Sequence, residues 1–296
     1  MTENPVFRKE LLTRFRLRTG SGLRRSAVMT GALLLVLHWL FLRALMDRPP
    51  TVSPDHYRDT WTWIVALQYL AICLMTPGIA ANAFTQEREQ QTWDMLVITR
   101  LTSAEIVLGK WLARLLPSLA LLAICFPLTA LSAALSFDFR LDRSIALSLE
   151  SPDFRVVRTV VTLREFAGTY LVMLATAVFY TTFGLYLSHR AHRTSYALIG
   201  AYTVVIGGFF LSTTLLFLAV WSFSNRSVPE HFLLYWVNPL YLFSHAISPE
   251  DLEDTLYVLA GAGAYLAASA ALLWHIILRL RNATRPGITP HARTSG

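Results

Sequence analysis

Glu87, Arg88, Glu89 and Asp94 fall within eight residues of one another, inside AFTQEREQQTWDMLVITRLTSAEIVLGKW (83–111). Carboxylates and a guanidinium so closely spaced can form ion pairs, cap helix ends or present a charged surface to another protein. Other reactive groups are sparse. His189-x-x-His192 has ligand-like spacing, but no carboxylate or cysteine accompanies it, so it reads as a basic turn rather than a metal site. Cys73 and Cys125 lie in apolar stretches and read as small packing residues. His38 and His275 stand alone. Gly109-Lys110 lacks the upstream glycine of a phosphate-binding loop, because residue 104 is alanine, and Trp111 follows. There is no G-x-S-x-G and no H-E-x-x-H. No catalytic residue, metal or cofactor is therefore expected on this chain.

The elements that carry the charged stretch are apolar. Hydrophobic residues make up 54% of the 296 and charged residues only 15%, against the ~25% of soluble domains. The mean hydropathy is +0.45. The apolar residues come in blocks near the ~20 needed to cross a hydrocarbon core of ~30 Å. They lack the alternation of a barrel strand, so the reading is an all-α integral membrane protein. Of 26 basic residues, only Lys9 and Lys110 are lysine.

Residues 1–25 predict an interfacial helix. Phe7, Leu11 and Phe15 recur at i, i+4, i+8, with Arg8, Lys9, Arg14, Arg16 and Arg18 around them. The alternative is a basic flank that only sets topology. A membrane-embedded body over 26–282 then holds six expected spans, and 283–296 is a loose tail. The first span, about 27–45, exceeds the length of a signal h-region and no A-x-A site follows it. The second, about 61–82, opens on Trp61 and Trp63 and carries Pro77-Gly78 near its far end. The third begins at Thr102 or Ser103, where Thr102 and Glu105 form a capping-box pattern, and reaches Leu135. Lys110 and Arg114 are expected to mark its membrane interface. Residues 136–165 are a polar loop whose β-like composition is compatible with a small hairpin.

The fourth span is expected over about 166–187 and the fifth over about 195–222. Residues 224–253 are apolar and aromatic but interrupted by Asn238-Pro239, which suits re-entrant or interfacial helices. The last span, about 256–278, is rich in glycine and alanine, which permit close helix packing. With both termini inside, basic residues divide 17 inside to 9 outside and acidic residues 6 to 13. Odd numbers of spans would put one basic terminus outside, so the charge asymmetry favours six spans, N-in and C-in.

That topology puts 83–103 in the cytoplasm. Gln86–Gln91 reads as the polar end of the second helix, and Thr92 as the start of a short helix, TWDMLVIT, with Trp93, Leu96 and Val97 on one side. An exposed helix with an apolar face needs a cover, either the headgroup layer or a groove on a partner.

The stretch EREQQTWDMLVITRLTSAEIVLGKW resembles the signature region of type-2 ABC exporter permeases, the membrane subunits of ATP-driven exporters. NPVFRKELLTRFR is similar to the start of those permeases. The likeness rests mainly on Glu87-Arg88-Glu89, Thr92, Asp94, Leu96, Thr99 and Leu108-Gly109-Lys110. Gln91 stands where relatives usually have glycine, and Arg100 where proline is common.

The resemblance implies that Thr92–Thr99 is a coupling helix seated on a separate ATPase subunit, which would hold ATP and magnesium. It implies that Glu87 and Glu89 secure the second helix through charge pairs, with Arg88 or Arg114 as partners. Two permease copies or homologues would pair in the plasma membrane (the inner membrane if bacterial), among lipids and with no nucleic acid. Spans one, two and five would face the pathway, which makes His38, Gln68 and Tyr202 candidate lining residues. The alternatives are a non-transporting assembly subunit of the same fold and, less well supported, a membrane-embedded enzyme. The latter would need facing ionisable groups at mid-span, and the chain has no mid-span carboxylate.

Overall fold

The computed structural model describes residues 5–7, 10, 54–93, 101–135, 161–211, 214, 239–249 and 252–283. Among these residues the protein is helical, without strands. The helices are α1 (Pro54–Ala80), α2 (Thr85–Glu89), α3 (Ser103–Leu135), α4 (Leu163–Arg190), α5 (Thr194–Tyr202), α6 (Pro239–Ile247) and α7 (Leu252–Ala283). A π-helical turn over Thr203–Gly207 follows α5, and the chain stays helical to residue 211. Five helical stretches are long and apolar enough to cross a membrane: Arg58–Glu89, Ser103–Ala134, Leu163–Arg190, Thr194–Leu211 and Leu252–Asn282. This is a multi-pass membrane protein by the length and composition of its helices. The expected first span over 27–45, with His38, lies outside the described residues. So do the candidate hairpin over 136–160, most of 224–253, and the tail beyond Ala283.

The boundaries sharpen the expectations. α3 covers the expected third span almost residue for residue. α1, α4 and α7 are longer than expected, at 27, 28 and 32 residues. At 1.5 Å per residue these reach roughly 40–48 Å, so their ends project beyond a ~30 Å core. Thr162 and Leu163, expected in the β-like stretch, instead start α4. Thr162 accepts from the Glu165 amide (3.2 Å) while Glu165 accepts from the Thr162 amide (2.8 Å), a complete capping box. The pattern was present in the sequence as Thr162-x-x-Glu165, and its reciprocal hydrogen bonds fix where the helix begins.

α4 is the central helix and packs against α1, α3, α5, α6 and α7. Its buried positions are largely small or hydroxylic: Thr169, Ala175, Thr176, Ala177, Thr181, Thr182, Gly184 and Ser188. In lipid there is no water to expel between helices, so association depends on close backbone approach and on hydrogen bonds between helices. Trp111 donates to Thr182 (2.9 Å), and the Thr76 and Ser118 hydroxyls lie 2.9 Å apart. Tyr69 stacks on Phe243 with ring centroids 4.1 Å apart and donates to the Pro239 carbonyl (2.8 Å), which ties α1 to α6. At that same end Arg58 pairs with the fully buried Glu165 (3.4 Å), and His245 lies 3.1 Å from Asp254.

α1 and α4 approach closely at Gly184. A Cβ there would lie 2.8 Å from both the Pro77 carbonyl oxygen and the Ala80 Cβ. Gly184→Ala is therefore expected to destabilise the bundle by ~1–3 kcal/mol through overpacking. Thermal unfolding of the detergent-solubilised protein measures this, and an unchanged midpoint would refute the contact.

Candidate functional site

The charged stretch sits where five chain segments meet. α1 ends at Ala80, three residues after Pro77, and the Ala81 amide still reaches the Pro77 carbonyl (2.9 Å). A turn over 81–84 follows and then α2, TQERE. The second helix thus does not run on to Gln91 as expected. It breaks, and the polar part is a separate five-residue helix. Phe84 precedes α2 and has no side-chain oxygen to cap it. The Ser188 hydroxyl at the end of α4 does so instead, accepting from the Phe84 amide (2.8 Å) and the Thr85 amide (3.2 Å). Thr85 in turn accepts from the Thr194 hydroxyl at the start of α5 (2.9 Å).

The far end of α2 closes with paired reverse bonds. The Thr92 amide donates to Glu87 O (2.9 Å) and the Gln91 amide to Arg88 O (3.1 Å), with Gln91 at φ 56°. This is a Schellman motif, whose C′ residue must be left-handed and is usually glycine. The site where the permease resemblance expects glycine is this left-handed position. Glutamine occupies it at a cost of order 1 kcal/mol. Trp93 then restarts the helix, with Thr92 ahead of it in irregular backbone.

Each charge of Glu87-Arg88-Glu89 has its own partner, and these differ from the expected ones. Glu87 turns inward to Lys110 Nζ at 2.7 Å. Lys110, expected at the membrane interface, is fully buried. Its ammonium also donates to Glu10 Oε1 (3.1 Å) and to the Ala83 carbonyl (3.0 Å), so three acceptors meet its three protons. It lies 5.5 Å from the Phe84 ring centroid. Arg114 does not pair with α2. It donates to Glu10 (3.4 Å) and to the Asn82 side chain. Two carboxylates and two cations thus form a neutral cluster, which offsets much of the desolvation that a lone buried charge would suffer.

Arg88 leaves this cluster and donates to the carbonyls of Ala191 (2.6 Å) and His189 (2.9 Å), at the carbonyl-rich end of α4. It also lies 5.4 Å from the Trp93 ring centroid. Glu89 accepts from the Thr194 amide (2.7 Å), at the amide-rich start of α5. Cation and anion each sit at the helix end whose dipole favours them. The apolar partner of this network is a second core of Val6, Phe84, Ile106, Val107, Leu185, Ile276 and Leu280, flanked by Trp93. From the expected interfacial stripe, Phe7 is half-buried, while its neighbour Val6 supplies the core contact.

The capping box at Thr102 forms as read. Glu105 accepts from the Thr102 amide (2.8 Å) and hydroxyl (2.8 Å), and the Thr102 hydroxyl accepts from the Glu105 amide (3.2 Å). Asp94, Leu96, Val97 and Thr99 lie outside the described residues, as do Arg8, Lys9, Leu11, Arg14 and Phe15. Of the candidate pathway residues, Gln68 is buried in the bundle, whereas Tyr202 lines a groove of about 440 Å3 with Met75, Gly78, Ile79, Asn82 and Leu198. Tyr202 donates to the Leu74 carbonyl (2.9 Å), and its hydroxyl fills the space where a side chain on Gly78 would sit. The two residues do not share one lining. Glu10, Ser188 and Thr194 were not singled out in the sequence, and only spatial proximity identifies them. No family model and no curated protein matches the chain.

Two outcomes follow from the geometry. Lys110→Met leaves the buried Glu87 carboxylate without its cation and Glu10 with Arg114 alone, and is expected to destabilise the protein by ~3 kcal/mol. Adding Glu87→Gln and Glu10→Gln should recover part of that loss in thermal unfolding, and no recovery would argue against charge as the cause. Gln91→Gly is expected to stabilise by roughly 0.5–1 kcal/mol, since relief of left-handed strain outweighs the added freedom of the unfolded chain. A lowered midpoint would contradict the assignment of this turn.

Proposed function

We propose that this chain is the membrane subunit of an ATP-driven exporter of the type-2 ABC class, worked by a separate ATPase. The observation that carries the reading is the attachment of α2. Its three consecutive charges bind α3, the end of α4 and the start of α5, and through Lys110 they reach Glu10 in the N-terminal segment. A force applied just beyond Trp93 therefore acts on several helices at once, which a coupling element requires.

In this reading the stretch 92–99 docks into the ATPase, with Trp93, Leu96 and Val97 as its apolar anchors. ATP and magnesium bind the partner chain. Residues 27–45 supply a sixth span, both termini are cytoplasmic, and the permease works as a pair with a second copy or a homologue in the plasma membrane. The groove at Tyr202 and Gly78, between α1 and α5, contributes to the pathway side of the subunit.

The test is co-purification. Leu96→Asp with Val97→Asp should abolish recovery of the ATPase with the tagged chain while membrane insertion is unchanged. The purified chain alone should hydrolyse no ATP. Undiminished recovery of the ATPase would refute the docking role, and robust hydrolysis by the chain alone would refute the division of labour. An intact complex without ATP-dependent export would favour the assembly-subunit alternative.

A further inference from the structure

α4 and α7 run in the same direction and end together beside the second core. Their outer seam carries a graded stripe. On α4, Phe179, Phe183, Tyr186 and Arg190 recur at i, i+4, i+7 and i+11, which places them on one face. Phe179 and Phe183 stack with ring centroids 6.1 Å apart. On α7, His275 and Arg279 are one turn apart, and the His275 ring lies 6.0 Å from that of Tyr186. Arg190 donates to the Tyr186 hydroxyl (3.0 Å) and lies 5.8 Å from its ring centroid. The seam thus passes from aromatic rings within the spans to two guanidinium groups at the helix ends.

Those guanidinium groups are short of anions. Arg190 and Arg279 are exposed, and neither forms an ion pair among the described residues. Arg279 makes no side-chain hydrogen bond there either. Among the described residues, Arg190 uses its fork only on Tyr186. By contrast, Arg58, Arg88 and Arg114 all have carboxylate or carbonyl partners. Exposed Trp274, beside His275, is the residue type that settles at headgroup depth.

We propose that this seam binds an anionic phospholipid, with its phosphate held between Arg190 and Arg279 and one acyl chain laid along Phe179 and Phe183. Guanidinium forks match phosphate oxygens in geometry and charge. The aromatic stripe below them supplies the apolar half that a free anion would not use. The inference goes beyond the exporter reading and does not depend on it, because it needs only that α4 and α7 cross a membrane.

The experiment uses the full-length protein in detergent, titrated with dioleoyl phosphatidylglycerol and read by native mass spectrometry and by thermal unfolding. Phosphatidylglycerol should form resolved adducts and raise the unfolding midpoint. Dioleoyl phosphatidylcholine and inorganic phosphate should do neither. Arg190→Gln with Arg279→Gln should weaken phosphatidylglycerol binding roughly 30-fold, at about fivefold per arginine. Replacing both by lysine should retain most of the binding, and Arg193→Gln, in the neighbouring turn, should leave it unchanged. If the double glutamine variant does not fold, Arg279→Gln alone serves, and it should lose about fivefold. Binding by the glutamine variants equal to that of the parent would overturn the proposal, as would equal binding of phosphatidylcholine. A midpoint shift from phosphate alone as large as that from the lipid would mark a free-anion site and overturn it too.

Discussion

The Lys110 ammonium is the contact on which the architecture of one end of this bundle depends. Three acceptors surround it, from three stretches of chain: Glu10 near the N-terminus, the Ala83 carbonyl in the turn after α1, and Glu87 in α2. An arginine could not readily replace it, since a planar fork does not suit three oxygens converging on a compact charge. Burial makes the arrangement exacting. Withdrawing any one carboxylate leaves charge uncompensated where water cannot reach it, so the segments hold their relative places or all lose the contact together.

α2 spans too few residues to be stable by itself, since a helical nucleus is costly and five residues recover little of it. It exists because its ends and side chains are satisfied by neighbours. Ser188 takes its first amides, the reverse bonds at Gln91 and Thr92 close its last turn, and Thr85 meets Thr194. In return Arg88 and Glu89 complete the end of α4 and the start of α5. α2 is therefore a splice between helix ends. The sequence order of its charges follows the polarity of the ends it meets. This gives the proposed coupling role a mechanical basis: the splice cannot shift without disturbing the groups that terminate two membrane helices.

The rest of the bundle follows a different rule. Along α4, hydroxyls and small side chains bring helices close enough for direct contact, and at Gly184 there is no room for a Cβ. Many large apolar residues also point outward, as with Trp63, Leu67, Ile199, Phe210 and Trp274. In water that much exposed apolar surface would be unfavourable. In lipid it is stable, because the acyl chains satisfy exposed leucine as well as a protein core would.

Much of the fold was legible in the sequence. Apolar block length and the lack of strand alternation pointed to a helical membrane protein, and the Thr102–Glu105 spacing located the start of α3 to within one residue. These features are local: a block crosses or does not, and a capping box is closed by residues three apart. The charged stretch was legible as a place but not as a mechanism. Its expected partners, Arg88 and Arg114, were near in sequence or of suitable type, yet Glu87 pairs with Lys110, 23 residues on, and shares it with Glu10, which lies 77 residues before Glu87. Sequence spacing carries no information on which buried cation a carboxylate will meet, since that depends on where helices cross. Nor could it show that α1 would break before α2, because Ser188, the residue that caps α2, is delivered from the end of α4. The sequence by itself determined that membrane helices flank a charged, capped interruption. Only the tertiary structure decided that a single lysine, withdrawn from water, would hold that interruption to the rest of the molecule, because desolvation makes a charge choose its partners by geometry.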